Sequence, residues 1–510
     1  MRQALSQGPF YLRLKPPFFI ALLPALLVGC SVVPVELPDD QSAPAEQQWQ
    51  SVTPAGVSAV GMNTLKADAA GSGWWQQIDD PLLQQLMAMT IANSPNMESA
   101  RLTYRQAQLA ADIAGVENRP SLNLSTSVSR SGSDDSGMAT SYNGSLRATW
   151  EIDLWGTGAS EKRAAQAGID QANEELRDAR ISLMAQTAAA YTSLRLAQEN
   201  LRVAKASVDI RRETYDLARF EYQSGMGTEL EVMQAKTLLD NANAELPQYN
   251  QAQESAINLL RVLTGGELKA LADQLRIQAD LPQPPTHLAL NLPAETLRQR
   301  PDVKAQEYAV IQQAEAVNQA RKARFPSFSL TGSLTGSGDS YGDVFDADSL
   351  VRSIAASLSY ALFDNGVLKN TERRQKITLD QSINTYRLTL LSAQQEVEDA
   401  LTSLYTAQQQ QVSYQQAEDS ARLAEELARY QYDAGLLDFT DLLDTQSSLL
   451  NAQNAKVQNE GAIFSAWIEL YRSAGGGFQG VETTQNLPLS TRTTSTNTIN
   501  SHTTSADQGE

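Results

Sequence analysis

Cysteine and histidine are almost missing from this chain, whose 510 residues hold one Cys and two His. A lone Cys30 excludes an intrachain disulfide, and with His287 and His502 it forms no cluster of the kind zinc needs, so no metal site is named. No Ser-His-Asp set or phosphate loop is present, and Gly475-Gly476-Gly477 is the exit of a helix, so no catalytic residue is named either. Aromatics are scarce at 6%, while Ala, Gln, Leu and Ser abound, a mixture that favours long helices with small-residue seams over a compact α/β enzyme. Positive charge is in deficit, with 40 Lys and Arg against 59 Asp and Glu for a net charge of −19. Such a surface repels phosphates and excludes nucleic acid as a partner. The apolar run Phe18 to Val28 falls short of the ~20 residues that a spanning helix needs.

That short run is part of an address. Arg2, Arg13 and Lys15 precede it, and it ends in Leu27-Val28-Gly29-Cys30. The pattern reads as a signal peptide over residues 1–29 and resembles a bacterial lipobox, in which the cysteine thiol takes a diacylglyceride and the freed amine an acyl chain. An ordinary signal peptide with a chance cysteine is the alternative. Ser31 suits sorting to the outer membrane, because the retention signal at that position is Asp. Residues 30–73, rich in Pro, Ala, Gln and Ser without periodicity, read as a lipid-anchored spacer, and residues 480–510 as a disordered Ser/Thr/Asn-rich tail.

The body between is one unit written twice. Arg119-Pro120-Ser121-Leu122 recurs 206 positions later as Phe325-Pro326-Ser327-Phe328, and Ser94-Pro95 as Arg300-Pro301. Phe220-Glu221-Tyr222-Gln223-Ser224-Gly225 recurs 210 positions later as Tyr430-Gln431-Tyr432-Asp433-Ala434-Gly435. The two copies, 74–270 and 271–479, each read as a helix, a β-hairpin and a pair of long helices.

The hairpins alternate strictly. Tyr142, Gly144, Leu146, Ala148, Trp150, Ile152 and Leu154 share one face, and Asn143, Ser145, Arg147, Thr149, Glu151 and Asp153 the other. Leu122 to Ser131, Phe328 to Leu334 and Ile354 to Leu362 repeat the pattern. Strands of this length suit a tilted membrane crossing, which takes ~9–11 residues. A soluble β-sandwich with one wet face is the alternative. Four strands cannot close a barrel, and hydrocarbon tolerates no open strand edge, so the pattern demands oligomerisation. Two copies would make a barrel filled by side chains; three make twelve strands and a pore.

Ala159 to Gln223 has no proline and one glycine, enough for a helix of roughly 100 Å. Leu194, Leu201, Val208, Tyr215 and Tyr222 recur every seven residues, as do Leu436, Leu443, Leu450, Val457, Phe464 and Tyr471 in the second copy, the mark of coiled-coil packing. Thr228 to Leu263 returns, with a kink expected at Pro247. Twelve such helical paths at ~8–10 Å spacing would enclose a lumen of roughly 20–30 Å.

With these features the chain resembles the outer-membrane efflux protein family, the TolC/OprM-like lipoproteins, over nearly all of Trp74 to Gly477. The resemblance is carried by Cys30, Trp74-Trp75, Asp80-Pro81, the two Pro-Ser strand starts, Trp150-Glu151-Ile152-Asp153-Leu154-Trp155-Gly156, and the segments Gln223 to Glu231 and Asp433 to Asp444. It implies an α+β membrane protein: a trimeric 12-stranded transmembrane β-barrel, four strands per chain, continued by a long periplasmic α-barrel. It implies an outer-membrane channel of a tripartite efflux system exporting small molecules, with a periplasmic adaptor (membrane fusion protein) and an inner-membrane transporter of the RND type as partners. The only attached group is the N-acyl/S-diacylglycerol lipid of Cys30.

The resemblance also implies roles. Asp441 and Asp444, three apart on one helix face, match the acidic ring that narrows the closed duct; as first-turn acids they would also serve the helix dipole. Tyr432 and Glu231 match positions that tie neighbouring helices shut, whereas Leu437 departs from a basic residue found there in some members. Gly225-Met226 and Gly435-Leu436 match the tips where the adaptor docks, although a glycine there is equally a helix cap. A type I protein-secretion duct and a non-channel periplasmic coiled-coil lipoprotein are the rival readings. Replacing Cys30 with Ser is expected to abolish incorporation of labelled palmitate, and persistent labelling would refute the lipobox.

Overall fold

The structure, a computed structural model, describes residues 78–116, 118–133, 137–268, 271–284 and 297–476. The expected signal peptide, spacer and tail, with Cys30, Trp74, Trp75 and both histidines, lie outside the described residues. The elements are α1 (Pro81–Asn93), α2 (Pro95–Val116), β1 (Ser121–Ser133), β2 (Gly137–Glu151), α3 (Thr157–Gln223), α4 (Glu229–Leu263), α5 (Ala272–Arg276), α6 (Pro301–Lys322), β3 (Ser327–Gly338), β4 (Leu350–Ser359), α7 (Val367–Asp433) and α8 (Phe439–Ser473). A single 3-10 turn, Asp343–Phe345, lies between β3 and β4.

The halves match element for element. α2 and α6 have 22 residues each, α3 and α7 have 67, and α4 and α8 have 35. At 1.5 Å per residue each 67-residue helix is about 100 Å long. α4 runs through Pro247 without ending, although the ring removes one backbone donor.

The four strands form one antiparallel sheet in the order β1-β2-β3-β4, so the halves meet through the β2–β3 pairing. Directly paired residues share a face. Leu124, Leu146 and Leu334 lie in one row, and Asn123, Arg147 and Ser333 in the next. Away from the β3–β4 connection the apolar face is bare: Leu124 is 75% exposed and Ile354 86%. Among the described residues nothing pairs with the outer edges of β1 and β4.

Strands end earlier than alternation suggests. β2 stops at Glu151 rather than Leu154, because Asp153 turns its carboxylate to the next helix and accepts from the Thr157 and Gly158 amides at 2.7 and 3.0 Å. β4 stops at Ser359 rather than Leu362, and Asp364 caps α7 through the Gly366 and Leu368 amides, both at 2.8 Å. Gly156 and Gly366 enter those helices at φ 76° and 81°, a conformation that favours glycine. The Trp155 indole donates to the Pro326 carbonyl and stacks on Phe325, joining the segment after β2 to the start of β3.

The main core lies midway along the helices. There α1, the C-terminal end of α4 and residues near α5 pack on α3, while α7 and α8 close the far side. The heptad seam is buried at Leu194, Leu201, Val208, Val457 and Phe464, but Tyr222 and Leu436 are exposed at the tips. Two buried arginines strap connecting segments onto the helices. Arg195 donates to the Tyr191 hydroxyl and the Ile277 carbonyl, and Tyr191 donates to Asp80, the cap of α1. Arg300 grips Asp302, Glu396 and the Ser473 carbonyl at 2.7–2.8 Å. Removing one partner of such a buried pair leaves an uncompensated charge.

Nearer the sheet, Glu372 of α7 meets Arg324 at 2.7 Å, Lys376 at 2.9 Å and Arg321 at 3.5 Å, tying the C-terminal end of α6 to α7. Burial alone would raise its carboxyl, but the hydrogen bonds from Lys376 and Arg324 override that and hold it at about 2, against an ordinary value of 4.5. A depressed carboxylate contributes stability that is present above the ordinary value and lost as pH falls through the folded one. Glu372→Gln is therefore expected to lower the Tm at pH 7 by about 2 °C. The gap to the parent protein should close between pH 4.5 and 2, as read by circular dichroism; a gap independent of pH would refute the tie.

Candidate functional site at the helix tips

At the end farthest from the sheet, α3 reverses into α4 and α7 into α8. Both reversals are the same C-cap. Gly225 has φ 75°; its amide donates to the Tyr222 carbonyl, and the Met226 amide to Glu221. Gly435 has φ 69°, with its amide on Tyr432 and the Leu436 amide on Gln431. This double hydrogen bond satisfies the last carbonyls and needs a left-handed residue, hence glycine. The apolar residue after each glycine projects outward: Met226 is 73% exposed and Leu436 78%.

A small cluster holds the tips together. Phe439 and Leu443 of α8 pack with Ala218 of α3 and with Val232 and Ala235 of α4, flanked by Tyr215, Leu238 and Tyr432. A buried hydrogen bond of 2.9 Å from Gln446 to Thr214 extends this contact up α8 and α3. Because Phe439 and Leu443 face the cluster and Leu442 is buried beside them in sequence, Asp441 and Asp444 fall on the opposite, exposed side of α8. Asp441 stands in the first turn.

The two expected tying residues separate. Tyr432 of α7 donates to Glu221 of α3 at 2.6 Å. Glu231 instead closes its own helix start, where its carboxylate accepts from the Thr228 amide at 2.7 Å and Thr228 caps the Glu231 amide. That is a capping box, which satisfies two orphan donors locally and leaves Glu231 engaged within α4. Burial, and then the Glu221 carboxylate, push the Tyr432 hydroxyl well above the ordinary tyrosine range, so it stays a donor at any physiological pH. Two turns above Leu437, Arg429 meets Glu213 of α3 at 3.2 Å. This pair is exposed on both sides, and such pairs contribute ~0–1 kcal/mol.

Glu221, Glu213 and Arg429 were missed by sequence reasoning. Glu221 was within reach, since it lies in the repeated segment that pairs Phe220-Glu221-Tyr222 with Tyr430-Gln431-Tyr432. The Arg429–Glu213 contact spans 216 positions and depends on the relative rotation of two helices, which no local pattern encodes. Among the described residues no group of His, Cys, Asp or Glu could hold a metal ion, and no helix is long and apolar enough to cross a membrane.

An antiparallel sheet with an exposed apolar face, carried on helix pairs about 100 Å long, fits a membrane-embedded protein of the channel type. The chain belongs to the outer membrane efflux protein family, whose model matches residues 86–266 and 292–476, one segment in each half. It is 28% identical over 467 residues to the pyoverdine export outer membrane protein OpmQ of Pseudomonas aeruginosa, covering 89% of this chain and 95% of that protein. It is 28% identical over 476 residues to the probable efflux pump outer membrane protein TtgC of Pseudomonas putida, covering 90% and 95%. The solved outer-membrane channel OprN superposes with a TM-score of 0.77 at 26% identity, over 88% of this chain and 99% of that one. The protein is thus an outer-membrane component of an efflux system, and its family and relatives are transport proteins.

Tyr432→Phe removes the α7–α3 hydrogen bond at the tip while keeping the ring. At about 1 kcal/mol for such a bond, hydrogen exchange of residues 217–223 and 428–435 is expected to speed about five-fold. Unchanged exchange would show that the bond does not hold the tip.

Proposed function

We propose that three copies of this chain close a twelve-stranded barrel in the outer membrane and continue it as a helical duct into the periplasm, through which small molecules leave the cell. The observation that carries this reading is the sheet: β1 and β4 present open backbone edges, and the face that should meet lipid is apolar and bare. Hydrocarbon accepts neither edge, so sister strands must cover them. Exposed apolar residues recur along α2 at Leu102, Leu109, Ile113 and Val116, and along α7 at Ile377, Leu388, Leu391, Val412 and Leu423. Such stripes on otherwise polar helices suit burial against neighbouring protomers. In this reading residues 74–270 and 271–479 are the two repeats, 1–29 the cleaved signal, 30–73 the spacer and 480–510 a dispensable tail, with the chain anchored by the lipid on Cys30.

Three-fold symmetry would gather Asp441 and Asp444 into six carboxylates about the axis, a constriction that attracts cations. Tyr432–Glu221 and Arg429–Glu213 would restrain the closed tip, with Glu231 holding the start of α4. The turns Gly225-Met226 and Gly435-Leu436 would meet a periplasmic adaptor, which links the duct to an inner-membrane transporter of the RND type. Small cargo rather than secreted protein is favoured by relatives named for pyoverdine export and for efflux pumps.

The test is conductance of the purified protein in planar bilayers. Discrete cation-selective channels are expected, and Asp441→Ala with Asp444→Ala should weaken the selectivity several-fold and raise the current. Unchanged current and selectivity would remove the gate assignment; no conductance, with a stable monomer in detergent, would remove the duct.

A further inference from the structure

The segment between β3 and β4 does not rise freely from the sheet. It folds back over it, on the apolar face. The side chain of Val344 is 7% exposed and lies where Gly144 would carry a Cβ, 2.8 Å away. A Cβ on Gly336 would meet the Val344 carbonyl oxygen at 2.0 Å, and one on Gly338 the Asp343 Cβ at 2.3 Å. Gly144 pairs with Gly336, and Tyr142 with Gly338, so the glycines form one patch on the face that also carries Leu124, Leu146 and Leu334. Gly332, farther down that face, has open space above it, so only one end of the sheet is covered.

The covering segment is held in shape. The Asp343 carboxylate accepts from the Ser340 amide at 2.9 Å, and the Ser349 hydroxyl donates to the Asp343 and Asp346 carbonyls. Tyr341 stands edge-on to Tyr142 at 6.4 Å and to Phe345 at 5.7 Å. Both loop aromatics nevertheless remain open, Tyr341 at 70% and Phe345 at 69%. An ordered loop that buries a valine and leaves two aromatic rings outside is presenting those rings.

We propose that residues 339–349 form an outward-folded collar that seats Tyr341 and Phe345 among the headgroups of the outer leaflet and sets the depth of the barrel. This rests on the membrane-spanning reading above, under which the β3–β4 connection lies at the extracellular side. Amphipathic and aromatic rings favour the headgroup level of a bilayer, where apolar body and polar surroundings are both satisfied. The same face carries Arg130 near the end of β1 and Arg352 near the start of β4, in register with Thr140 and Leu334. Long cations beside an apolar band suit anionic, phosphate-bearing headgroups. Below the collar the same face continues through Leu146 and Leu334 and, past Arg352, to Ile354, so the covered end adjoins the surface that lipid would wet.

The test is a nitroxide label at Phe345→Cys in the full chain, reconstituted in vesicles of phosphatidylethanolamine and phosphatidylglycerol. Collisions with oxygen and with a water-soluble nickel chelate are compared with those of Ile354→Cys and Met226→Cys. The expected result is an oxygen-to-nickel ratio at 345 several-fold above that at 226 and below that at 354. Gly336→Val, which expels the loop by steric clash, should bring 345 to the level of 226 and leave 354 unchanged; Val344→Ala should move it the same way without a clash. A nickel-accessible 345 beside a lipid-facing 354 would overturn the collar alone. A label at 345 screened from both reagents would overturn it in favour of contact with a second copy. A nickel-accessible 354 would bring down the membrane-spanning reading and the collar with it.

Discussion

An amide or carbonyl left unpaired in hydrocarbon costs several kcal/mol, and this single penalty organises the chain. A strand in water can leave its edge to solvent. A strand in lipid cannot. The sheet therefore has the properties of a fragment: regular pairing from Ser121 to Ser359 and, among the described residues, free edges on both sides and an apolar face left uncovered apart from the glycine-lined end. Where the strands hand over to α3 and α7, the carboxylates of Asp153 and Asp364 take up the first helix amides, which have no partner within the helix.

The helical part answers a different problem. Of the two 67-residue helices, α7 buries far fewer residues than α3 and is barely amphipathic. Stability is concentrated in one belt, where α1, α5 and the ends of α4 and α8 wrap the helices and Arg195 and Arg300 strap the connecting segments down. Toward the sheet the helices are joined by ion pairs around Glu372, and below the belt by those of Glu418 with Arg422 and Lys456. The tips carry a cluster of only five buried residues and a few polar contacts. Local opening is cheapest where contacts are fewest, so motion at the tips can proceed while the belt stays folded.

Acidity at the tips gives that looseness a direction. Asp441 and Asp444 project from α8 on the side away from its packing cluster, while Tyr432 reaches across to Glu221. Like charges brought together repel, and a tyrosine–carboxylate bond of 2.6 Å opposes the separation of α7 from α3. In the proposed three-fold assembly, repulsion and restraint would act on the same few residues of the tip.

Much of this was legible in the residues. Period-two alternation located all four strands, the glycines at 225 and 435 located both reversals, and α7 fills the glycine-free stretch between Gly366 and Gly435. These features are local: side-chain alternation and left-handed caps act over a few neighbours. Where sequence reasoning overshot, at Leu154 and Leu362, apolar parity persisted past the point at which an aspartate had already turned to cap a helix. It gave both Tyr432 and Glu231 a tying role; Tyr432 reaches another helix at Glu221, whereas Glu231 is engaged by Thr228 at the start of its own helix. It could not place Val344 over Gly144 and Gly336, nor join Arg429 to Glu213. Which strand edges meet, which carboxylate a hydroxyl finds and which face a loop covers depend on segments some 200 residues apart being brought into register, and only the packed chain settles that.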